Sequence, residues 1–259
     1  MISAMEYFYT PPHLITTRDL TIEGDEFNHL THVMRKKVGD TIRVVDGAGT
    51  TFDVTIAEVS KRTARCEITA SHKRLNEPDV DVTLGVAILK NASRFDFLVE
   101  KATELGVNTI VPLLSERTIP RHAKTDRWQK LALAAMKQSG RCVLPVVRAL
   151  TRFDDFVTSP PPNQLRLIPH EKANRPLREI LQQHKLSSLT MCIGPEGGFS
   201  DEEVTLAQDA GFQQVSLGPR RLRTETAEVV CAGIVLSQDS GIRGQGLDKA
   251  GQHLCGRVR

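Results

Sequence analysis

Hydrophobic and polar positions alternate through the first third of the chain. Asp40–Asp46 alternates, Gly47-Ala48-Gly49 supplies a turn, and Thr51–Val59 alternates again, which predicts a β-hairpin. A third strand is expected over 64–71. Phe27, Leu30 and Met34 recur at helical spacing after Gly24-Asp25, so one helix interrupts the strands. Residues 1–74 are therefore expected to form a small barrel with one helix. The polar stretch 75–80, broken by Pro78, is the expected linker. From Val82 the period changes. Apolar runs at Val82–Leu89, Thr109–Leu114, Leu165–Ile168, Leu189–Ile193 and Gln214–Leu217 alternate with amphipathic segments. Those segments are Phe95–Leu105, Trp128–Gln138, 176–184, Ser200–Ala210 and Thr226–Ser237. Repeated β-α units of this kind predict an α/β fold over 81–239, a parallel sheet covered on both faces. Ligands on such sheets sit at the carboxyl ends of the strands.

Composition narrows this picture little. The 259 residues are 40% hydrophobic and 25% charged, which is a globular balance. No run of about 18 apolar residues predicts a membrane span, and Met1–Thr10 lacks a secretory pattern. A cytoplasmic protein is expected. The five cysteines form no C-x-x-C pair and read as free thiols, and no zinc pattern surrounds His29 and His32, so no metal is expected. The net charge of +3 is carried entirely by the Gly-rich tail 240–259, expected to be mobile. Any argument for a nucleic-acid partner must therefore rest on local clusters.

Two strand-to-helix connections hold the candidate chemistry. Gly194-Pro195-Glu196-Gly197-Gly198 leads into Ser200-Asp201-Glu202-Glu203, a capping box. Glycines let backbone amides approach a ligand closely, and the helix start adds free N–H donors. Glu196 would repel a phosphate and favours a cationic or hydrogen-bonding partner. The spacing also matches neither nucleotide-phosphate loop. A plain β-α turn accounts for the same glycines. The second connection, Leu217–Ala227, crowds Arg220, Arg221 and Arg223 with Thr224 and Thr226 into one loop. Arginine forks match phosphate oxygens; a solvated basic loop with a threonine N-cap is the plainer alternative.

Together these segments resemble the paired signature of the ribosomal-RNA small-subunit methyltransferase E family, within the SPOUT superfamily. Asp96–Val107, Ser115–Thr118, Gln138–Arg141, His29–Arg35, Gly39-Asp40 and Asp46–Gly49 extend the resemblance over about residues 5–239. It implies a SPOUT-type α/β knot, a deep trefoil, behind a PUA-like RNA-binding barrel. It implies a homodimer that binds S-adenosylmethionine and methylates N3 of one uridine in small-subunit (16S) ribosomal RNA, within the assembled 30S subunit. Motif matching assigns the cofactor to Leu167, Ile168, Pro169, Gly194, Pro195, Glu196, Gly197, Gly198, Leu217, Gly218, Leu222, Arg223, Thr224, Thr226 and Ala227. Glu225 is the candidate base for the uridine imide, with Arg223 beside it; a first-turn carboxylate facing the helix dipole is the structural alternative. The family's opening strand usually contains an arginine, and Glu6-Tyr7-Phe8-Tyr9 lacks one.

RNA contacts are expected from Arg35, Lys36, Arg117, Arg141 and Arg221, with surface ion pairing as the alternative for Arg117 and Arg141. Lys37, Lys61-Arg62 with Arg65, and Lys73-Arg74 are further basic groups. Tyr7–Tyr9 offers aromatic rings for stacking, although alternation puts at least one in the core. Two other functions fit the same residues: another SPOUT enzyme, such as a tRNA ribose methyltransferase, or a non-catalytic RNA-binding assembly factor.

Overall fold

A computed structural model describes residues 6–159 and 164–239; the tail 240–259 lies outside them. The first five strands, β1 (Tyr7–Tyr9), β2 (Asp19–Glu23), β3 (Thr41–Val45), β4 (Thr50–Val59) and β5 (Thr63–Lys73), form one barrel-like sheet in the order β1-β3-β4-β5-β2. Alternation drives it. Ile42, Val44, Val54, Ile56, Ala64 and Cys66 point inward with Leu20, Ile22 and Phe8. Helix α1 (Gly24–Asn28) runs on into a wider π-helical turn, His29–Val33, and seats Phe27 and Leu30 on that core. The hairpin turn is built by Asp46, whose Oδ1 accepts from the backbone N–H groups of Ala48 and Thr50, both at 2.8 Å. Strand β1, three residues long, is too short for periodicity to show; β2 does alternate, over five residues that the sequence reading passed over.

The second sheet contains β6 (Asp81–Ala87), β7 (Thr109–Leu114), β8 (Val146–Val147), β9 (Thr151–Arg152), β10 (Leu165–Pro169), β11 (Ser188–Ile193) and β12 (Gln213–Val215). Its order is β12-β10-β11-β6-β7-β8, with β9 also pairing to β7, and every pairing is parallel. Helices α2 (Ala92–Leu105), α3 (Thr125–Ser139), α5 (Leu177–Gln182) and α7 (Thr224–Asp239) pack on one face. Helices α4 (Phe153–Thr158) and α6 (Asp201–Asp209) cover the other. Burial on both faces explains the nearly unbroken apolar runs. At Gly85 a Cβ would lie 2.5 Å from the Phe156 ring of α4, so a side chain there would force that ring to shift.

Helix α7 starts at Thr224, two residues before the apolar period does. Thr224–Ala227 therefore belong to its first turn, and the connection from β12 ends at Arg223. The segment 75–80 is not a free tether. The Glu77 side chain is fully buried and ion-paired with Arg141 at 2.7 Å. The two sheets are joined rigidly: the backbone N–H of Leu144 donates to Gly47 (2.9 Å), that of Gly49 to Cys142 (3.0 Å), and Lys137 pairs with Glu26.

Candidate active site

The carboxyl ends of β6, β7, β10, β11 and β12 all emerge on one edge of the parallel sheet. The turn after β11 is closed by the N–H of Gly198 donating to Pro195 at 2.9 Å, and the capping box then starts α6. A Cβ on Gly194 would sit 3.2 Å from the Phe199 nitrogen, so the turn itself excludes a side chain there. Gly198 (φ +70°) and Gly218 (φ +109°) adopt the left-handed backbone that favours glycine, and no atom stands within 4 Å of where their Cβ would be. Gly197 differs: its Cβ would rest on the Arg117 side chain at 3.4 Å. Backbone approach by a ligand is thus open at Gly198 and Gly218.

Thr224 joins the two connections. Its hydroxyl, on the buried side of α7, donates to the Gly194 carbonyl at 2.9 Å. Leu217, Leu222 and Ala227 are half-buried around this joint, and Thr226 and Glu196 are exposed. Pro195 is buried in the turn. Leu167 and Ile168 have fully buried side chains, one in each core, so only their backbone can face a ligand; Pro169 at the strand end is half-buried.

Glu225 lies at this edge with its side chain 12% exposed. One carboxylate oxygen is 3.5 Å from Nε of Arg94; the other, Oε2, is buried without a hydrogen-bond partner. Arg94, in the first turn of α2, is missed by sequence reasoning. The family-like stretch begins two residues after it, and nothing in the helical period marks it. Among the described residues, Arg220, Arg221 and Arg223 are exposed and form no ion pair.

The expected RNA-facing residues separate sharply. Arg141 is not at the surface. It is 2% exposed, and it donates to the carbonyls of Thr103 (2.8 Å) and Val107 (2.9 Å) and to Glu77. That expectation is corrected: the guanidinium satisfies buried carbonyls and a buried carboxylate, and turning it outward to RNA would undo all three. Arg117 is exposed, but its Nη1 donates to the Gly197 carbonyl at 2.7 Å and is 3.4 Å from that of Phe199. Arg35 is exposed with φ +53°, and Lys36 is half-buried. Arg65 is surrounded by Asp19, Glu58 and Glu67, Lys73 donates to Thr50, and Arg74 to the Pro78 carbonyl. Phe8 is core, while Tyr7 packs on Gly140 and Tyr9 on Gly47 at the joint between the sheets.

One buried acid was not anticipated. Glu228, one turn beyond Thr224, is 0% exposed with both oxygens unpartnered, and burial pushes its carboxyl up to about 8. Among the described residues no cluster of side chains suited to a metal exists, and no helix is long and apolar enough to cross a membrane.

Residues 76–236 match the RNA methyltransferase domain family, and residues 22–69 match the RNA methyltransferase PUA domain. The chain is 37% identical over 224 residues to ribosomal RNA small subunit methyltransferase E of Synechocystis, covering 85% of this chain and 73% of that protein. It is 32% identical to the protein of the same name from Aquifex aeolicus, over 68% of this chain and 77% of that one. Among solved structures it resembles ribosomal RNA small subunit methyltransferase E from Neisseria gonorrhoeae bound to S-adenosyl methionine. That match has a TM-score of 0.82 at 32% identity, covering 90% of this chain and 98% of the other.

Proposed function

The chain belongs to the ribosomal RNA small subunit methyltransferase E family, and from that premise we propose that it methylates N3 of one uridine in small-subunit ribosomal RNA. It is an S-adenosylmethionine-dependent enzyme with a PUA-like domain ahead of a SPOUT-type α/β domain. The observation that carries the reading is the pair of connections locked by Thr224 and Gly194, with open backbone at Gly198 and Gly218 beside it. Relatives named for small-subunit ribosomal RNA, rather than transfer RNA, set the substrate class.

The residues present fit this cofactor. Unhindered glycine backbone suits an adenosine held by amides and carbonyls, and the carboxylates of Glu196 and Glu225 suit a cationic ligand rather than a phosphate. Pro169, the Gly194–Gly198 turn, Leu217, Gly218 and Leu222–Ala227 would hold it. When bound, S-adenosylmethionine supplies an electrophilic methyl on a good leaving group. The chain's own work is then positioning and proton removal. Uridine N3 carries an imide proton that must leave before or as the new N–C bond forms. Glu225 Oε2, which lacks a partner, is the atom we assign to take it, while Arg94 holds the other carboxylate oxygen. The free Arg221 and Arg223 guanidiniums supply positive charge for the anionic base and the RNA backbone. The trefoil threading, the homodimer, the 30S context, a cytoplasmic setting and the division at 75–80 belong to the same proposal.

The test incubates the protein with labelled S-adenosylmethionine and small subunits from cells lacking the gene, then maps modified nucleosides by mass. 3-Methyluridine at a single position is expected; label in ribose or in transfer RNA would overturn the reading. Glu225→Gln should lower kcat about 100-fold at saturating S-adenosylmethionine, and a variant with full rate would remove Glu225 from the role.

A further inference from the structure

The connection from β7 to α3 is anchored at its base and charged at its tip. Its base is tied to the turn after β11 and to the start of α6. The backbone N–H of Glu116 donates to Glu203 Oε1 at 2.7 Å, and Arg117 donates to the Gly197 carbonyl. Within the loop, Ser115 and Thr118 are buried and bonded to each other through their hydroxyls at 2.7 Å. The base is therefore rigid, and Arg117 is used up on protein carbonyls. Beyond it stand Ile119, Pro120, Arg121, His122, Ala123 and Lys124. Ile119 is 68% exposed, a large apolar side chain left in solvent. Arg121, His122 and Lys124 are exposed, and among the described residues no carboxylate pairs with them. No acidic residue occurs between Glu116 and Asp126.

We propose that Ile119–Lys124 is an RNA-docking arm, with Arg121 and Lys124 on phosphates and Ile119 against an unstacked base, held beside the cofactor turn by Arg117 and Glu203. The chemistry fits a polyanion. Unpaired cations on an acid-free segment release counterions on meeting phosphates, and an exposed apolar side chain among them gains by covering a base or sugar. The rigid base gives this segment a use that a free basic loop lacks. RNA held at 119–124 is held at a fixed offset from the turn that faces the methyl donor, so docking also sets register. This rests on the RNA-methylation reading above.

The test uses the full chain with two variants, Arg121→Ala/Lys124→Ala and Ile119→Ser, assayed on small subunits over a range of salt. For the double variant, KM for RNA should rise about tenfold. Its salt dependence, the slope of log KM against log salt, should fall by about 1–2. The maximal rate, the S-adenosylmethionine affinity and the melting temperature should stay as in the parent. Ile119→Ser should raise KM with the salt slope intact. An unchanged KM and slope in the double variant overturns the proposal. So does a rise in KM that accompanies loss of self-association, because the segment would then be a contact between copies. Should the parent protein fail to methylate small-subunit RNA, the enzymatic reading falls. Binding of the same variants to that RNA, followed by fluorescence anisotropy, would still decide for or against the arm.

Discussion

A single buried side chain sets the pH response expected of the fold. Glu228 sits on the face of α7 that turns to the core, with no donor for either oxygen. Ionising it there would strand a charge in a medium of low polarity, so it keeps its proton up to about pH 8. Cys231, nearby on the same helix, has its thiol pushed above the ordinary range by burial and then by the Glu228 carboxyl. The sign follows from linkage. The folded state binds the proton more tightly than the unfolded chain, whose glutamate titrates near its ordinary value of 4.5. The stability linked to this group is thus full below that value and is lost as pH rises through about 8. Glu228→Gln should flatten the dependence, leaving the variant more stable than the parent by about 3–5 kcal/mol at pH 9. Urea unfolding at pH 6 and pH 9 checks this; parallel curves for parent and variant would show that Glu228 has a donor after all.

At the scale of elements, α6 is more than a cover for the sheet. Ser200 caps it, and Glu203 closes the capping box with one oxygen while its other oxygen takes the N–H of Glu116 from the loop after β7. The helix start therefore fixes two connections at once. Ser200→Ala removes only the cap and should cost about 1 kcal/mol. Glu203→Ala removes the box and also leaves the Glu116 N–H without its acceptor. It should cost about 2–3 kcal/mol and increase exchange of the Glu116 amide. Denaturant midpoints of the two variants, read beside hydrogen exchange, separate the cases. Equal midpoints and a Glu116 amide exchanging as before would deny the tie between loops. The start of α7 works similarly, since Thr224 spends its hydroxyl on the Gly194 carbonyl rather than on capping its own helix.

For the whole molecule, the buried pair Glu77–Arg141 decides how the two sheets sit. Glu77 Oε1 accepts from the backbone of Cys142 (2.8 Å) and Val143 (2.9 Å), and its Oε2 takes Arg141. Arg141 in turn satisfies two carbonyls, one in the last turn of α2 and one in the connection before β7. The segment 140–144 thus meets the hairpin turn of the first sheet while strapped to the segment between the sheets. Such a pair adds little net stability, yet breaking it is costly. Arg141→Met alone should destabilise by about 3–5 kcal/mol, and Glu77→Gln with Arg141→Met should recover part of that loss. Melting curves for the single and double variants test this. Full additivity would mean that the pair is not coupled.

Much was legible in sequence because it repeats locally. The hairpin at 40–59, the parallel strands and the capping box follow from periods of 2 and 3.6 and from turn chemistry, which need only near neighbours. The glycine turn and the arginine-rich connection could be located the same way, as strand-to-helix junctions. What one-dimensional pattern could not hold was which charges meet. Arg141 and Arg117 both look like free surface cations in sequence, yet a buried carboxylate at residue 77 and a loop carbonyl at residue 197 engage them within the protein. Arg94 came to Glu225 by the same long-range pairing, and Thr224 to Gly194. Local spacing thus determined the elements and the two connections. Only tertiary packing, which brings residues far apart in the chain to one sheet edge and removes some of them from water, decided which side chains remain free to act.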